Sequence, residues 1–361
     1  MPPTDEARTP AEETVVTDEA RTPAEETVVT DEARTPAEET VETDEARTPA
    51  EETVDPLHRL EGELAAVPGT VSIWFGPVRG GARYHRLAGA THYAASTMKV
   101  AVLAALHRGA EAGLLDLDDR VSVDNSFSSA APGGGTFGCQ QHYDNDDAVW
   151  DRLGEKVPLR WLAQRMIVRS SNLATNLVLG RVGLPAVAEV WECVGARDSV
   201  VGRGIEDAEA ADAGVTNLVT AADLAALLGA IARGTTAGAP AGGAADRGGD
   251  TDGGGDADGG GDAGGGAVAS RASCEAMLAT LLAQEGDEDL AAGLPAGVRV
   301  AHKNGWIQGV RHGAGIIFPT DAPPFVLAVC LSTPLAVNER DDEACQLVAR
   351  IAAAAWAARQ T

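Results

Sequence analysis

Three apolar runs rich in β-formers close the chain, at residues 298–303, 313–318 and 325–332. The stretches between them are shorter than the dozen or more residues a parallel crossover needs, so these strands must pair antiparallel. An earlier pair of runs, 70–76 (TVSIWFG) and 82–87 (ARYHRL), reads as a hairpin around the turn 77–81. Leu57, Leu60 and Leu64 suggest a short amphipathic helix before it. Helical stretches follow at 97–106, 157–167, 172–179 and 220–232, then at 272–283 and 343–358. Residues 169–171 break the second from the third, and Thr220 with Asp223 resembles a capping box. The order is helix, two strands, many helices, three strands, helix. For both chain ends to contribute, the early hairpin must join the late strands. The expected fold is α+β: a five-stranded antiparallel sheet with helices on both faces, plus an all-helical lobe.

Two segments stand apart from that pattern. Residues 1–55 are four near-copies of TDEARTPAEETVV and carry 18 acids against four arginines. Each copy offers only one small apolar patch, too little burial to offset the entropy of ordering its backbone. A disordered acidic spacer is expected. Residues 234–268 are almost entirely Gly, Asp, Ala and Thr, the composition of a flexible insertion. Their Asp-Gly alternation lacks EF-hand ligand order, which argues against calcium. The folded domain is therefore 56–361. Most of the net charge of −26 lies in the two segments, and such acidity argues against nucleic-acid binding. No apolar run reaches membrane-spanning length. The first 30 residues show neither a basic n-region nor an apolar h-region, so no export signal is visible. The five cysteines are scattered, without CxxC or zinc spacing, and are expected to be mostly reduced and buried.

The chemistry is concentrated in Ser96-Thr97-Met98-Lys99. The chain has 25 arginines but only three lysines, Lys99, Lys156 and Lys303. Where bare positive charge is wanted it uses arginine, so a lysine is expected for what arginine cannot do, such as giving up its proton. On a helix, Ser96 and Lys99 share a face one turn apart. An amine held there could take the hydroxyl proton and make the serine a nucleophile. Ser170-Ser171-Asn172 lies at the break between two helices, and His302-Lys303-Asn304-Gly305-Trp306 closes a predicted strand.

These three elements, in this order and setting, resemble the signature of the serine β-lactamase and penicillin-binding protein superfamily, especially its class A-like members. The resemblance covers residues 56–361 outside the insertion; IVRSSNLATNLVL, with Asn172 and Asn176, matches the Ser-x-Asn segment. It implies that Ser96 attacks a carbonyl and forms an acyl-enzyme, with Lys99 accepting or relaying its proton. Ser170 would pass a proton to the leaving nitrogen, and Asn172 would hydrogen-bond the substrate's side-chain amide. Lys303 would attract the substrate's carboxylate and help to hold Ser170. Backbone N–H groups of Ser96 and Trp306 would form an oxyanion hole. A glutamate should activate the deacylating water, and Glu206 and Glu209 are both candidates. No cofactor and no metal are implied. The family acts mostly outside the cytoplasmic membrane.

The chain departs from the family at three places; one is the usual Glu-x-x-Leu-Asn, where Ala210 takes the place of the asparagine if Glu206 is the base. Ser171 replaces the middle aspartate of Ser-Asp-Asn, and Asn304 replaces the threonine or serine of Lys-Thr-Gly. Asn304 can still donate a hydrogen bond to substrate, with altered geometry. Arg311-His312 resembles a Gly-Val-Arg-His stretch of these hydrolases, and a structural role is at least as well supported there as a catalytic one. His302 should point to the opposite face of its strand from Lys303, and His85, His142 and Trp74 have no evident partners. The expected function is hydrolysis of a small β-lactam or peptide-like amide by a monomer. Alternatives are a D-alanyl-D-alanine carboxypeptidase, another amide or ester hydrolase such as a serine-dependent glutaminase, and a non-catalytic binding scaffold.

Overall fold

The computed structural model describes residues 55–236 and 266–360. The acidic repeats and most of the Gly/Asp-rich insertion lie outside the described residues. The insertion's flanks belong to the fold: the preceding helix runs to Thr236, and Val268 is buried with its carbonyl accepting from Arg108 at 2.7 Å.

In chain order the elements that position the site are α1 (Glu61–Ala66), β1 (Thr70–Pro77) and β2 (Tyr84–Arg86), then α2 (Lys99–Glu111), α3 (Leu159–Val168), α4 (Asn172–Val182) and α5 (Leu184–Cys193). After them come α6 (Ala221–Thr236), α7 (Arg271–Leu282), β3 (Arg299–Ile307), β4 (Val310–Phe318), β5 (Phe325–Ser332) and α8 (Glu343–Ala357). The five strands form one antiparallel sheet in the order β3-β4-β5-β1-β2. The first strand of the sequence therefore lies beside the last, as joining the two chain ends required. β5 is central and nearly all apolar. Its Val326, Ala328 and Cys330 join one core cluster, while Phe325, Leu327, Val329 and Leu331 join the other. That alternation is the period-two geometry of a strand buried on both faces. Helices α1 and α8 cover one face. The other faces α6 and α7, beyond which α2, α3, α4 and α5 form the helical lobe.

Helix α2 is buried on every side from Lys99 through His107. A helix that is apolar all round belongs inside a core, and this run puts an amine there. Each fully buried Leu or Val of such a helix contributes roughly 1.5–3 kcal/mol through area removed from water, enough to hold one desolvated lysine in place. Thr220 caps α6 by accepting the Asp223 N–H at 3.0 Å.

Three local expectations are corrected. Residues 156–158 form a short strand paired with 120–122, not the start of a helix, because Pro158 holds an extended ψ of 140° and α3 starts only after it. The helix expected from residue 97 begins as a 3₁₀ turn, Ala95–Met98, and becomes α-helical at Lys99. Lys303 does not close its strand: β3 continues through Gly305 to Ile307 and reverses at Gly309, whose φ of 82° suits glycine.

Candidate active site

The segment carrying Ser96 is pressed against the edge of the sheet. β3 is the edge strand, and a Cβ on Gly305 would sit 2.8 Å from the Ser96 nitrogen and 2.9 Å from that of Thr97. Only glycine allows this approach, which brings the 3₁₀ turn beside the Gly305–Trp306 backbone. Ala95, immediately before Ser96, has φ 43°, a left-handed conformation unusual for a residue with a Cβ. The Thr97 hydroxyl donates to the Ala94 carbonyl at 2.6 Å and helps hold the turn. In a 3₁₀ turn, residues three apart eclipse, so Ser96 and Lys99 line up along one edge. Ser96 is half-buried and lines a cavity of about 610 Å³. Among the described residues its hydroxyl makes no hydrogen bond.

Lys99 is fully buried beneath that cavity. Its ammonium donates to the Ser170 carbonyl at 2.7 Å, the Ser170 hydroxyl at 3.2 Å and Asn172 Oδ1 at 3.0 Å. Burial lowers its pKa from 10.5 to about 7, against the opposing pull of Asp144, Cys139 and Glu206. Near neutral pH this amine exists as a mixture of acceptor and donor.

Ser170 has φ 59° at the break between α3 and α4. Ser171 is the N-cap of α4, its hydroxyl accepting from Ala174 N–H at 3.1 Å. The carboxylate absent from position 171 comes from elsewhere: Asp144 Oδ2 accepts from the Ser171 hydroxyl at 3.1 Å and from the Leu173 N–H at 2.8 Å. Asn172 donates from Nδ2 to the Tyr143 carbonyl at 3.0 Å while its Oδ1 faces Lys99. Two neighbouring residues, Tyr143 and Asp144, thus grip the start of α4.

Lys303 is fully buried and donates to Asn304, to its carbonyl at 2.9 Å and its side-chain Oδ1 at 3.1 Å. The Ser170 hydroxyl is held by Lys99, whereas the resemblance implied Lys303. Asn304 also accepts from Gln284 Nε2 at 3.0 Å, and its Nδ2 donates inward to Asp289 Oδ2 at 3.2 Å. Asp289 in turn pairs with Arg311 at 2.5 Å, both fully buried. Arg311 also donates to the carbonyls of Glu339 and Arg340, each at 2.7 Å. Its neighbour His312 bonds the Tyr93 carbonyl at 2.8 Å through Nε2. Arg311 and His312 therefore brace the sheet and the segment before Ser96. His302 is also buried, and its Nδ1 has no partner among the described residues.

The two glutamates separate clearly. Glu206, with φ 68°, lines the cavity; its Oε2 accepts from Gln140 N–H at 2.8 Å, while Oε1 is buried without a partner among the described residues. Burial raises its pKa, opposed by the hydrogen bond from the Gln140 N–H. Glu209 sits on the short helix Ala208–Asp212, exposed and outside the cavity lining, and accepts from Gly135 N–H at 2.9 Å. The Glu206 segment is pinned by Asn176, which bonds both the N–H and the carbonyl of Ile205 at 2.8 Å. Asp207 holds it to Ser129 and Ala130, each at 2.7 Å.

One cavity therefore gathers Ser96, Ser170, Asn172, Glu206, Asn304, Gly305 and Trp306, with Lys99 and Lys303 buried behind it. Ala95, Ser170, Glu206 and Asn338, which also lines the cavity, account for four of the six described non-glycine residues with positive φ. Such strain collects where the surrounding fold over-determines a functional geometry. A profile of the "Beta-lactamase enzyme family" matches residues 55–245 and 264–358. The chain belongs to the beta-lactamase enzyme family.

Membership places it among the serine hydrolases of the β-lactamase and penicillin-binding protein superfamily. Solved structures agree in fold. A β-lactamase from Sphaerobacter thermophilus is 25% identical, with a TM-score of 0.61 over 84% of this chain and 97% of that one. PBP-A is 20% identical, with a TM-score of 0.59 over 84% and 97%. A β-lactamase from Xanthomonas campestris is 18% identical, with a TM-score of 0.62 over 82% and 95%. Among curated proteins, none matches the chain. The profile leaves residues 246–263 unmatched, within the Gly/Asp-rich insertion.

The cavity wall also holds residues with no sequence signal. Tyr143 and Asp144 are 29 residues from their partners Asn172 and Leu173, with no motif linking them. His142 packs against Tyr143 with ring centroids 4.0 Å apart and planes tilted by 45°, and it lines the cavity. Trp74 and His85 are cross-strand neighbours in the β1–β2 hairpin. All five cysteines are free, and only Cys193 is exposed. No single described helix is long and apolar enough to cross a membrane.

Proposed function

We propose that the protein is a serine hydrolase that opens β-lactam amides through an acyl-enzyme on Ser96. The observation that carries this reading is a Ser96 hydroxyl that lines the cavity three residues before a buried Lys99 whose pKa is lowered to about 7. A neutral Lys99 amine takes the Ser96 proton as the oxygen attacks the lactam carbonyl. Developing negative charge on the carbonyl oxygen is met by the backbone N–H groups of Ser96 and Trp306, which Gly305 allows to lie together. When the C–N bond breaks, the Ser170 hydroxyl gives its proton to the leaving nitrogen. Lys99, 3.2 Å from that hydroxyl, replaces it, so the proton taken from Ser96 ends on the product amine.

Deacylation requires a base for water. Glu206 is the better candidate: it lines the cavity, and its raised pKa makes it a stronger base than an exposed carboxylate. Water attacks the ester carbonyl and gives a proton to Glu206; as the ester C–O bond breaks, that proton is returned to the Ser96 oxygen, which leaves as a hydroxyl, and Glu206 ends ionised again. A lysine whose pKa burial lowers and a carboxylate whose pKa burial raises, in one cleft, support acid–base work. Edge strand β3 offers unpaired backbone groups along which an extended acyl chain can lie.

A mutant of PBP-A, a structural neighbour at a TM-score of 0.60, has been captured as an acyl-enzyme with penicillin G. That neighbour supports a second reading, a penicillin-binding transpeptidase or carboxypeptidase that acylates and releases slowly. Intact-mass measurement after exposure to penicillin G tests both. A penicilloyl adduct lost in Ser96→Ala supports Ser96 as nucleophile, and rapid disappearance of the adduct favours lactamase turnover. A folded wild-type protein that never labels would remove both readings and leave a non-catalytic scaffold.

A further inference from the structure

An anionic substrate needs a cation that can reach it. Lys303 is the residue expected to serve, yet its ammonium is fully buried, lines neither cavity at the cleft, and is capped by Asn304 through both a backbone and a side-chain oxygen. The amide of Asn304 is in turn committed. Its Oδ1 accepts from Lys303 and Gln284, and its Nδ2 points to Asp289. Asp289 is held by the Arg311 guanidinium and has φ 53°. This network turns toward Lys303 an oxygen, and away from the cleft the one N–H donor group the side chain owns. Burial and the repulsion of Lys99 also push the Lys303 pKa well below 10.5.

The same wall continues into a second cavity of about 280 Å³ that shares Asn145, Ser170, Asn304 and Trp306 with the first. Its two cations are already paired: Arg169 with Glu285, and Arg340 with Glu288 and, at 3.5 Å, Asp287. The remaining cation on the main cavity, Arg203, belongs to the Glu206 segment. It bonds the Val215 carbonyl at 3.0 Å and the Gly204 carbonyl and Tyr93 hydroxyl at 3.3 Å. Around Ser170 and Asn304, then, the described residues present no uncommitted positive charge.

We propose that this wall does not read a carboxylate, and that Asn304, positioned by Asp289, makes the site selective for lactams or related acyl compounds that are neutral beside the scissile nitrogen. The inference rests on the acyl-enzyme reading above. A charged hydrogen bond is ordinarily worth 1.5–3 kcal/mol, about 10–100-fold in rate. A site that lacks it forgoes that preference and avoids desolvating the anion without return.

The test compares acylation of Ser96 by penicillin G and by penicillin G methyl ester, whose carboxylate is masked. Second-order rate constants are followed by intact mass on the full chain. The wild type should acylate with the ester at least as fast as with the acid. Asn304→Thr removes the oxygen that caps Lys303 and adds a hydroxyl donor. It should raise the acid-to-ester rate ratio by about tenfold or more. Asp289→Asn, which loosens Asn304 without touching the cavity, should move the acid-to-ester ratio in the same direction. A wild-type preference of about tenfold or more for the free acid would overturn the proposal, and needs no variant to be read. So would an Asn304→Thr protein that accelerates both compounds equally. If the wild type labels with neither compound, the acyl-enzyme reading itself falls, a result distinct from a wrong selectivity.

Discussion

The Asp144 carboxylate caps the helix that begins at Asn172, accepting the Leu173 N–H at 2.8 Å and the Ser171 hydroxyl at 3.1 Å. It thereby supplies from a distant loop the negative charge that position 171 lacks. Its other oxygen, Oδ1, is buried without a hydrogen-bond partner among the described residues, so its charge acts on the site chiefly through space. After burial, Asp144 is the first influence on Lys99, raising a pKa that burial lowers.

Asp144→Asn keeps a capping oxygen and removes the charge. Lys99 is also faced by Glu206, Cys139 and Lys303, which stay in place. With one stabilising anion gone, the Lys99 pKa falls further below about 7. Acylation that needs a neutral amine rises with pH through that pKa, so its acid limb should move to lower pH. Stopped-flow acylation across pH 5–9 reads the midpoint. A lowered plateau with an unmoved midpoint would reduce Asp144 to a cap alone. Asp144→Ala, which loses the cap as well, should cost about 1 kcal/mol or more in urea unfolding.

Glu206→Gln should acylate normally and then accumulate the ester, with deacylation slowed by about 10²–10⁴. Glu209→Gln should turn over like the wild type, because its carboxylate is exposed and serves Gly135 outside the cavity. The lifetime of the adduct by intact mass separates them; equal lifetimes in the two variants would reverse or cancel the assignment.

Gly305→Ala places a methyl 2.8 Å from the Ser96 nitrogen, closer than real Cβ contacts come. The 3₁₀ turn or β3 must shift, and the two N–H groups proposed for the oxyanion part. Acylation should fall by about 10² or more, with a smaller change in melting temperature. An unaltered acylation rate would show that the two backbones are not held together for chemistry.

Four buried imidazoles make the fold acid-sensitive, three of them most strongly; the fourth, His107, is also lowered by burial. Burial lowers the pKa values of His92, His302 and His312 from 6.5 to about 4. The native state therefore binds fewer protons than the unfolded chain between these values. The stabilisation is fully present above pH 6.5 and is lost as pH falls toward about 4, with a contribution of about 3 kcal/mol per imidazole. Urea unfolding at pH 7, 5.5 and 4.5 should show the decline. His302→Gln, whose side chain does not titrate, should flatten it by about a third; an unchanged slope would assign the effect to carboxylates.

The antiparallel sheet was legible because short connections leave the late strands no other pairing. Ser96, Ser170 and Lys303 were legible as short local patterns at element boundaries. What local pattern could not show was how they would be held. Pro158 ended a strand where apolar content alone read as helix, and Lys303 proved to lie mid-strand because Asn304–Ile307 continue the ladder with β4. Choosing between Glu206 and Glu209 needed burial: three residues apart in sequence, one faces the cavity and the other solvent.

Sequence alone determined the architecture and the chemical inventory, since hydrophobic period, connection length and residue type are properties of neighbours along the chain. Tertiary structure decided the electrostatics. The desolvation that lowers Lys99, the anion that Asp144 brings to it, and the amide that Asp289 turns toward Lys303 all arise from groups distant in sequence. They meet only after the core has closed around them, where charges interact far more strongly than in water.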